Sequence, residues 1–458
     1  MPKDVVEKIV ESPAVVLDKT IEATKEVGEF VHAGEPVKKA KEYWDLLGPG
    51  LTTGAADDDC SGIATYSQQG AKYGFQLNWL ALFTFPLMAG VQEMCARIGL
   101  VTGRGLGSNI KRYFPRWVLI AATLLLLGAN LFNIGADLGA MAASAKLLLP
   151  NHSFTSLAII FTIITLALQI FVSYRVYSKY LKYLSFALLA YIFTAFIPAV
   201  AMDWHAAFKG LVIPSLSLDK DQIILICGIL GTTISPYLFF WQASQEVEDR
   251  IEQGDSSVKL RQQNITSEQI GHMKTDVWSG MFYSNLVMFF IVSVCATVLH
   301  KVGITNIGSA ADAANALRPI AGDNAYLLFA AGVIGIGLLA IPVLAGSISY
   351  ALSEAFNWKE GLNFKLKQAS AFYGVIIIAT VLGLGFNFIG LDPIKALIYS
   401  AVANGLAAPL LLIVIVLLSS NKKVMGQYTS GAFSKILGWL CVALMTIAGI
   451  ATIYSFFG

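Results

Sequence analysis

The sequence predicts an all-α polytopic membrane protein: two inverted repeats of five transmembrane helices, plus an eleventh. Three observations carry this: a composition too apolar for a soluble domain, eleven recurring apolar segments, and polar interruptions in the first and sixth of them. Of 458 residues, 56% are hydrophobic and 14% charged, with a mean hydropathy of +0.64. A soluble domain carries roughly 25% charged residues, so an ordinary cytosolic enzyme is excluded. At roughly 20 apolar residues per crossing, there is room for about a dozen spans. A net charge of +2 gives no reason to expect a nucleic-acid partner. Five cysteines lie scattered without CxxC spacing, which predicts free thiols.

Residues 1–42 interleave charges (Lys3, Asp4, Glu7, Lys8) with Val5, Val6, Ile9 and Val10, the spacing of an amphipathic cytosolic tail. No continuous apolar core follows the start, so a signal peptide is not expected. Residues 43–458 form one transmembrane domain, with apolar segments at 44–70, 77–100, 117–148, 154–175, 181–201, 223–246, 278–300, 324–353, 370–391, 395–419 and 434–457. With the N-terminus inside, twenty-five of the thirty-two lysines and arginines fall on the cytoplasmic side. That excess sets the expected orientation, N-terminus inside and C-terminus outside.

Span 1 reads GPGLTTGAADDDCSGIATYSQQGAKYGF, with Asp57, Asp58 and Asp59 in its middle. One charge at mid-membrane costs at least ~2.5 kcal/mol, so three persist only if they face water, an ion or partners. Span 6 reads IILICGILGTTISPYLFFWQASQEVED, where Gly231, Thr232, Thr233, Ser235 and Pro236 interrupt the apolar run. Pro236 removes one helical hydrogen bond, and small polar residues can cover the freed carbonyls. Both helices are expected to be unwound near mid-membrane. Spans 1 and 6 hold matching positions in repeats 1–5 and 6–10, with span 11 peripheral. Paired interruptions of this kind point to the substrate site of a secondary transporter.

These residues resemble the NRAMP divalent-metal transporters. Span 1 is similar to the family's first helix, which carries GPG, then DPGN and a QAGA-like stretch, and ARIGLVTGRGL after span 2 is similar to its AKLGIATGKNL. The match continues through ADLGAMAAS in span 3 and GLLA in span 8, over essentially the whole chain after residue 43. The resemblance implies the LeuT-like fold, an integral membrane location in a prokaryotic plasma membrane, and a metal carried as substrate with no cofactor. Its departures are specific. DPGN becomes Asp59-Cys60-Ser61-Gly62, keeping the acidic ligand and losing the amide. Met-Pro-His becomes Ser235-Pro236-Tyr237, losing the thioether, and the second histidine falls on Gln242. The span-3 glutamate that handles protons falls on Asp137, and the span-9 arginines are absent. Together with the ADDD run, these changes resemble the NRAMP-related magnesium transporter branch.

A thioether favours transition metals, whereas Mg2+ takes hard oxygen donors and keeps several waters. Loss of the thioether at Ser235 and of the amide at Gly62 therefore implies a larger, oxygen-lined site for a partly hydrated Mg2+, and also Mn2+. Asp59 is the first candidate ligand, followed by Ser235, the carbonyl of Thr232, and Asp58. Asp57 and Asp58 are alternatively expected on opposite faces, one capping the outer half-helix and one lining an inner vestibule. Gln242 is a candidate water-coordinating group. Asp137 is either part of the pathway or a packing residue bonded to Asn133, and Asn404 either a site residue or a helix–helix contact. Glu93 and Arg97, four apart, are expected to pair. Cys60 is a buried small residue or, as a thiolate, a soft ligand. Glu246, Glu248 and Asp249 are a solvated helix end or an acidic exit.

Three functions follow. The first is magnesium transport by alternating access, not strictly coupled to protons because no histidine lies within a span's centre. The second is a proton-coupled transition-metal (Mn2+/Fe2+) importer. The third is an intramembrane enzyme with a carboxylate pair. The expected partners are the metal ion and the lipid bilayer, with no obligate protein partner.

Overall fold

The computed structural model describes residues 47–172, 189–217 and 219–457, all helical or loop. The expected tail, 1–42, lies outside the described residues. Span 1 consists of α1 (Pro49–Asp57) and α2 (Cys60–Tyr73). Then follow α3 (Trp79–Thr102), α4 (Leu106–Tyr113), α5 (Arg116–Leu148), α6 (Phe154–Phe171), α7 (Leu189–Ala195) and α8 (Trp204–Val212). Span 6 consists of α9 (Lys220–Thr233) and α10 (Pro236–Glu252), followed by α11 (Val258–Gln263). The remaining long helices are α12 (Ser267–Val298), α13 (Ala325–Phe356), α14 (Ser370–Gly385), α15 (Pro393–Ser420) and α16 (Ala432–Phe457). Shorter turns connect them.

Nine helices among the described residues are long and apolar enough to cross a membrane, span 6 counting once. The broken span 1 and span 5, of which α7 is the described part, complete the expected set. Local chemistry sets the ends. Thr266 and Gln269 form a capping box that starts α12. The Asp392 carboxylate accepts the N–H groups of Ile394 and Lys395 before Pro393 opens α15. Gly103, at φ +61°, ends α3 in a left-handed conformation that a side chain would strain.

Span 1 and span 6 are held by long helices through close backbone contact. A Cβ on Gly54 would lie 2.2 Å from the Gly280 carbonyl oxygen of α12, so the α1–α12 crossing tolerates no side chain there. A Cβ on Gly231 would lie 2.1 Å from the Ala401 carbonyl oxygen, which fixes α9 against α15 in the same way. The Asp276 carboxylate of α12 also accepts the N–H groups of Gly50 at 2.6 Å and Leu51 at 3.1 Å, satisfying the open end of α1. At the opposite end of the bundle, Lys72 pairs with Asp221, and the Tyr73 hydroxyl donates to Asp219 at 2.9 Å, tying α2 to α9. The Ser217 hydroxyl, before the other donors, holds the Asp219 carboxyl below its ordinary value.

Candidate functional site

The two interruptions meet. In span 1 the helix stops at Asp57 and restarts at Cys60, with Asp59 extended at φ −66° and ψ −178°. One Asp59 oxygen caps α2, accepting the Gly62 N–H at 2.8 Å and the Ser61 hydroxyl at 2.5 Å. Its other oxygen accepts the Asn133 amide of α5 at 2.8 Å and lies 3.4 Å from the Tyr237 hydroxyl, which donates to the Ala56 carbonyl at 2.8 Å. Asp57 and Asp58 do not take opposite faces as the sequence suggested. Both turn to Ser284 of α12, whose hydroxyl lies 2.7 Å from Asp57 and 3.2 Å from Asp58. The cap of the outer half-helix is Asp59 instead, because only the residue directly before Cys60 can reach the first-turn N–H groups. One oxygen of Asp57 and one of Asp58 have no hydrogen-bond partner.

In span 6 the break falls at Ile234 and Ser235. The Ser235 hydroxyl donates toward the Thr232 carbonyl at 2.6 Å and the Gly231 carbonyl at 2.9 Å, covering acceptors that Pro236 leaves open. The Thr232 hydroxyl lies 3.2 Å from that of Ser61, joining the two breaks. The space left by glycine at Gly62 is narrow: a Cβ there would lie 3.3 Å from the Thr232 hydroxyl and 3.4 Å from the Tyr66 ring. All three aspartates, Thr232, Ser235 and Tyr237 are at most 1% exposed, so the site is enclosed.

The other candidates stand at increasing distance from this junction. Asp137 is buried, and its neighbour is the Cys60 thiol. The expected Asp137–Asn133 bond is absent, because Asn133 donates to Asp59 and accepts the Ser400 hydroxyl at 2.7 Å. Cys60 is buried, and Met141, one turn beyond Asp137, shares with it the space over Gly337. Asn404 is buried beside the Gly231 crossing with neither amide atom bonded. Gln242 lies two turns into α10 and donates to Glu246 at 2.9 Å, leaving its carbonyl oxygen unpartnered. Glu246 and Glu248 are not the solvated helix end expected from their charge. Both are 7% exposed, and Glu248 accepts the Tyr350 hydroxyl at 3.0 Å and the Asn363 amide at 2.9 Å. Glu93 and Arg97 pair as expected, and all five cysteines are free.

Sequence reasoning missed Asn133 as the Asp59 partner and Ser284 altogether. Asn133 had a signal, since it lies four residues before Asp137 on the same helical face. Ser284 had none within its own apolar helix. The α1 and α9 C-termini end at the junction and the α2 and α10 N-termini begin there, so the helix ends bring both signs and the three carboxylates supply the net negative charge. No described lysine or arginine forms an ion pair with any of these aspartates. The arrangement suits a cation.

The family model described as "Nramp: Natural resistance-associated macrophage protein-like" matches residues 50–455. The chain belongs to the Nramp family. Among the relatives of this Nramp protein is a divalent metal cation transporter MntH from Caldanaerobacter subterraneus subsp. tengcongensis, 26% identical over 94% of this chain and 96% of that protein. Another, of the same name from Klebsiella pneumoniae (strain 342), is 25% identical over 87% of this chain and 91% of that one. A crystal structure of the Eremococcus coleocola manganese transporter, with an aromatic bis-isothiourea compound, superposes with a TM-score of 0.69 at 20% identity, covering 93% and 90% of the two chains. Mhp1 in an inward-facing conformation superposes with a TM-score of 0.52 at 15% identity, covering 89% and 90%. These superpositions bear out the LeuT-like fold. As an Nramp protein the chain is an integral membrane transporter, not an enzyme, so the carboxylate-pair enzyme is set aside. The family's metal is substrate, not cofactor.

Proposed function

We propose that this Nramp protein moves divalent metal cations across the membrane by alternating access, binding the ion where the two broken helices meet. The observation that carries this is the enclosed Asp57–Asp58–Asp59 cluster. Two of its oxygens lack any partner, and no cationic side chain pairs with it among the described residues. Buried carboxylates without counter-charge are strongly disfavoured, so they either take up protons or are joined by a cation. Asp59 and Asp58 are the carboxylate ligands, with Ser235, the Thr232 carbonyl and the gap at Gly62 shaping the oxygen-lined wall. Asp137 and Asn404 flank it, and Gln242 receives the ion's waters on the inner side.

The relatives' names, divalent metal cation and manganese transporter, support Mn2+ as cargo and favour the transition-metal importer over a magnesium preference. Cys60 and Met141 beside Asp137 provide soft donors for that reading. Magnesium remains a second reading because Ser235 stands where the resemblance places a thioether. The proposed setting is a prokaryotic plasma membrane, with residues 1–42 a cytosolic tail, residues 43–458 one transport domain, and the C-terminus outside.

Uptake of Mn2+, Mg2+, Zn2+ and Ca2+ into proteoliposomes under one imposed gradient tests this. Saturable Mn2+ flux, competed by the other cargo ions, is the expected result. No flux of any divalent ion from correctly folded protein would overturn the proposal. Mg2+ flux exceeding Mn2+ flux would select the second reading.

A further inference from the structure

Away from the helix breaks, a cavity of about 590 Å3 opens where the loop after α3, α4, α11 and the Lys422–Met425 turn come together. This is the end of the bundle that collects the lysines and arginines. The lining includes Arg104, Arg112, Lys423, Gln262, Tyr113 and Tyr428, and no aspartate or glutamate. Arg104 also faces Glu354 in a neighbouring pocket, while among the described residues Arg112 and Lys423 form no ion pair with a carboxylate. The Arg104 Nε is buried without a hydrogen-bond partner. The floor is firm: the buried Asn109 amide donates to the Thr102 hydroxyl at 2.9 Å and the Gly105 carbonyl at 2.8 Å. The Gln262 amide donates to the Thr102 carbonyl at 2.9 Å. Cationic and amide donors around a preformed hollow are the groups that an anion needs.

The helices that follow the lining residues in sequence point to the anion's source. Immediately after the cavity, α5 exposes Trp117, Ile120 and Leu124 by 64, 58 and 60%. On α16, close after Tyr428, Phe433, Ile436 and Leu440 are exposed by 63, 65 and 47%. Each set recurs at i, i+3 and i+7, a single apolar face of a helix. Such faces belong against acyl chains, which puts the cavity at the level of the lipid headgroups, with Trp117 and Tyr113 as interfacial aromatics.

We propose that this cavity binds the phosphate of an anionic phospholipid, with Arg104, Arg112 and Lys423 as its cationic contacts and the α5 and α16 rows against its acyl chains. A basic pocket between helix ends at a charged leaflet is suited to such headgroups. A bound lipid would bridge the 2–3, 6–7 and 10–11 connectors.

Purified full-length protein in mild detergent is titrated with phosphatidylglycerol, phosphatidylcholine or inorganic phosphate. Bound lipid is read by native mass spectrometry and stabilisation by thermal melting. Phosphatidylglycerol is expected to bind at least about tenfold tighter than phosphatidylcholine, with no stabilisation from millimolar inorganic phosphate. Each cation removed should weaken binding about fivefold, and the Arg104→Gln/Arg112→Gln/Lys423→Gln variant on the order of a hundredfold. Arg112 and Lys423 are exposed, so Arg112→Gln and Lys423→Gln alone decide the matter if the triple variant fails to fold. Equal binding of the two lipids, or wild-type affinity in the variants, would overturn the proposal. Stabilisation by inorganic phosphate equal to that by phosphatidylglycerol would also overturn it, assigning the cavity to a soluble anion.

Discussion

Asp59 both caps α2 and faces the proposed ion, and two substitutions separate these roles. Asp59→Ala removes the acceptor for Gly62 N–H and Ser61, a cap worth about 1 kcal/mol, along with the Asn133 bond. It also relieves the burial of one carboxylate, so the net stability change is small. Asp59→Asn keeps an oxygen for the cap. Its new amide would meet that of Asn133, which can rotate because its other neighbour is the Ser400 hydroxyl, able to accept as well as donate. The asparagine variant therefore keeps the fold and loses only a charge. A unit charge interacts with another at 4 Å by about 4 kcal/mol at an effective dielectric of 20, and a divalent ion doubles that before desolvation is subtracted. If only a quarter survives, about 2 kcal/mol, ion affinity falls about thirtyfold. Both variants should run as monodisperse protein and show little divalent uptake in proteoliposomes, with binding lost by isothermal titration. Asp59→Asn retaining more than about half of wild-type flux would show that Asp59 serves only as a cap, and would refute the site.

Ser235→Met combined with Gly62→Asn should raise uptake of Mn2+ or Cd2+ relative to Mg2+, because it restores a thioether and an amide; the tight Thr232 and Tyr66 contacts at Gly62 make a melting control necessary, and an unchanged ion series would place selectivity elsewhere. Calcium, which takes six to eight oxygens at longer distances, should enter more slowly than Mn2+ or Mg2+ in the same assay; equal rates would indicate an unselective acidic pathway. On the magnesium reading, metal entry proceeds without strict proton coupling, since two charges crossing 100 mV gain about 4.6 kcal/mol; acidification of the lumen in step with the metal, absent in Asp59→Asn, would instead select the proton-coupled transition-metal importer. In the loop between α13 and α14, burial, then Glu354 and Glu248, push the Glu360 carboxyl from 4.5 up to about 10. The folded state thus holds a proton that the unfolded chain releases above about 4.5, so stability falls as pH rises from there toward 10. Glu360→Gln should raise the melting temperature at pH 8 by about 2 °C or more and leave it unchanged at pH 4, and an equal shift at both pH values would contradict the cause given.

The parts of this molecule legible in the sequence are those whose cause is local. Three adjacent carboxylates cannot continue an apolar helix, and Pro236 cannot donate within one, so both breaks were readable from single segments. Pairings that depend on the rotation of one helix against another were not readable. Asn133 and Asp137 share a face of α5, but only the position of the span-1 break decides that Asn133 serves Asp59 and Asp137 meets Cys60. Ser284 looks like any small residue in α12 until α1 is laid against Gly280, which sets Asp57 and Asp58 over its hydroxyl. Glu248 reads as solvated until Tyr350 and Asn363 arrive from α13 and the loop after it. The same geometry makes the strongest case for a bound cation. One hydroxyl serves Asp57 and Asp58, Asp59 accepts from Gly62, Ser61 and Asn133, and the one unpartnered oxygen on each of Asp57 and Asp58 is enclosed where the two helices break. Without a cation those carboxylates would have to be neutralised by protons, whereas a divalent ion compensates them in their charged form.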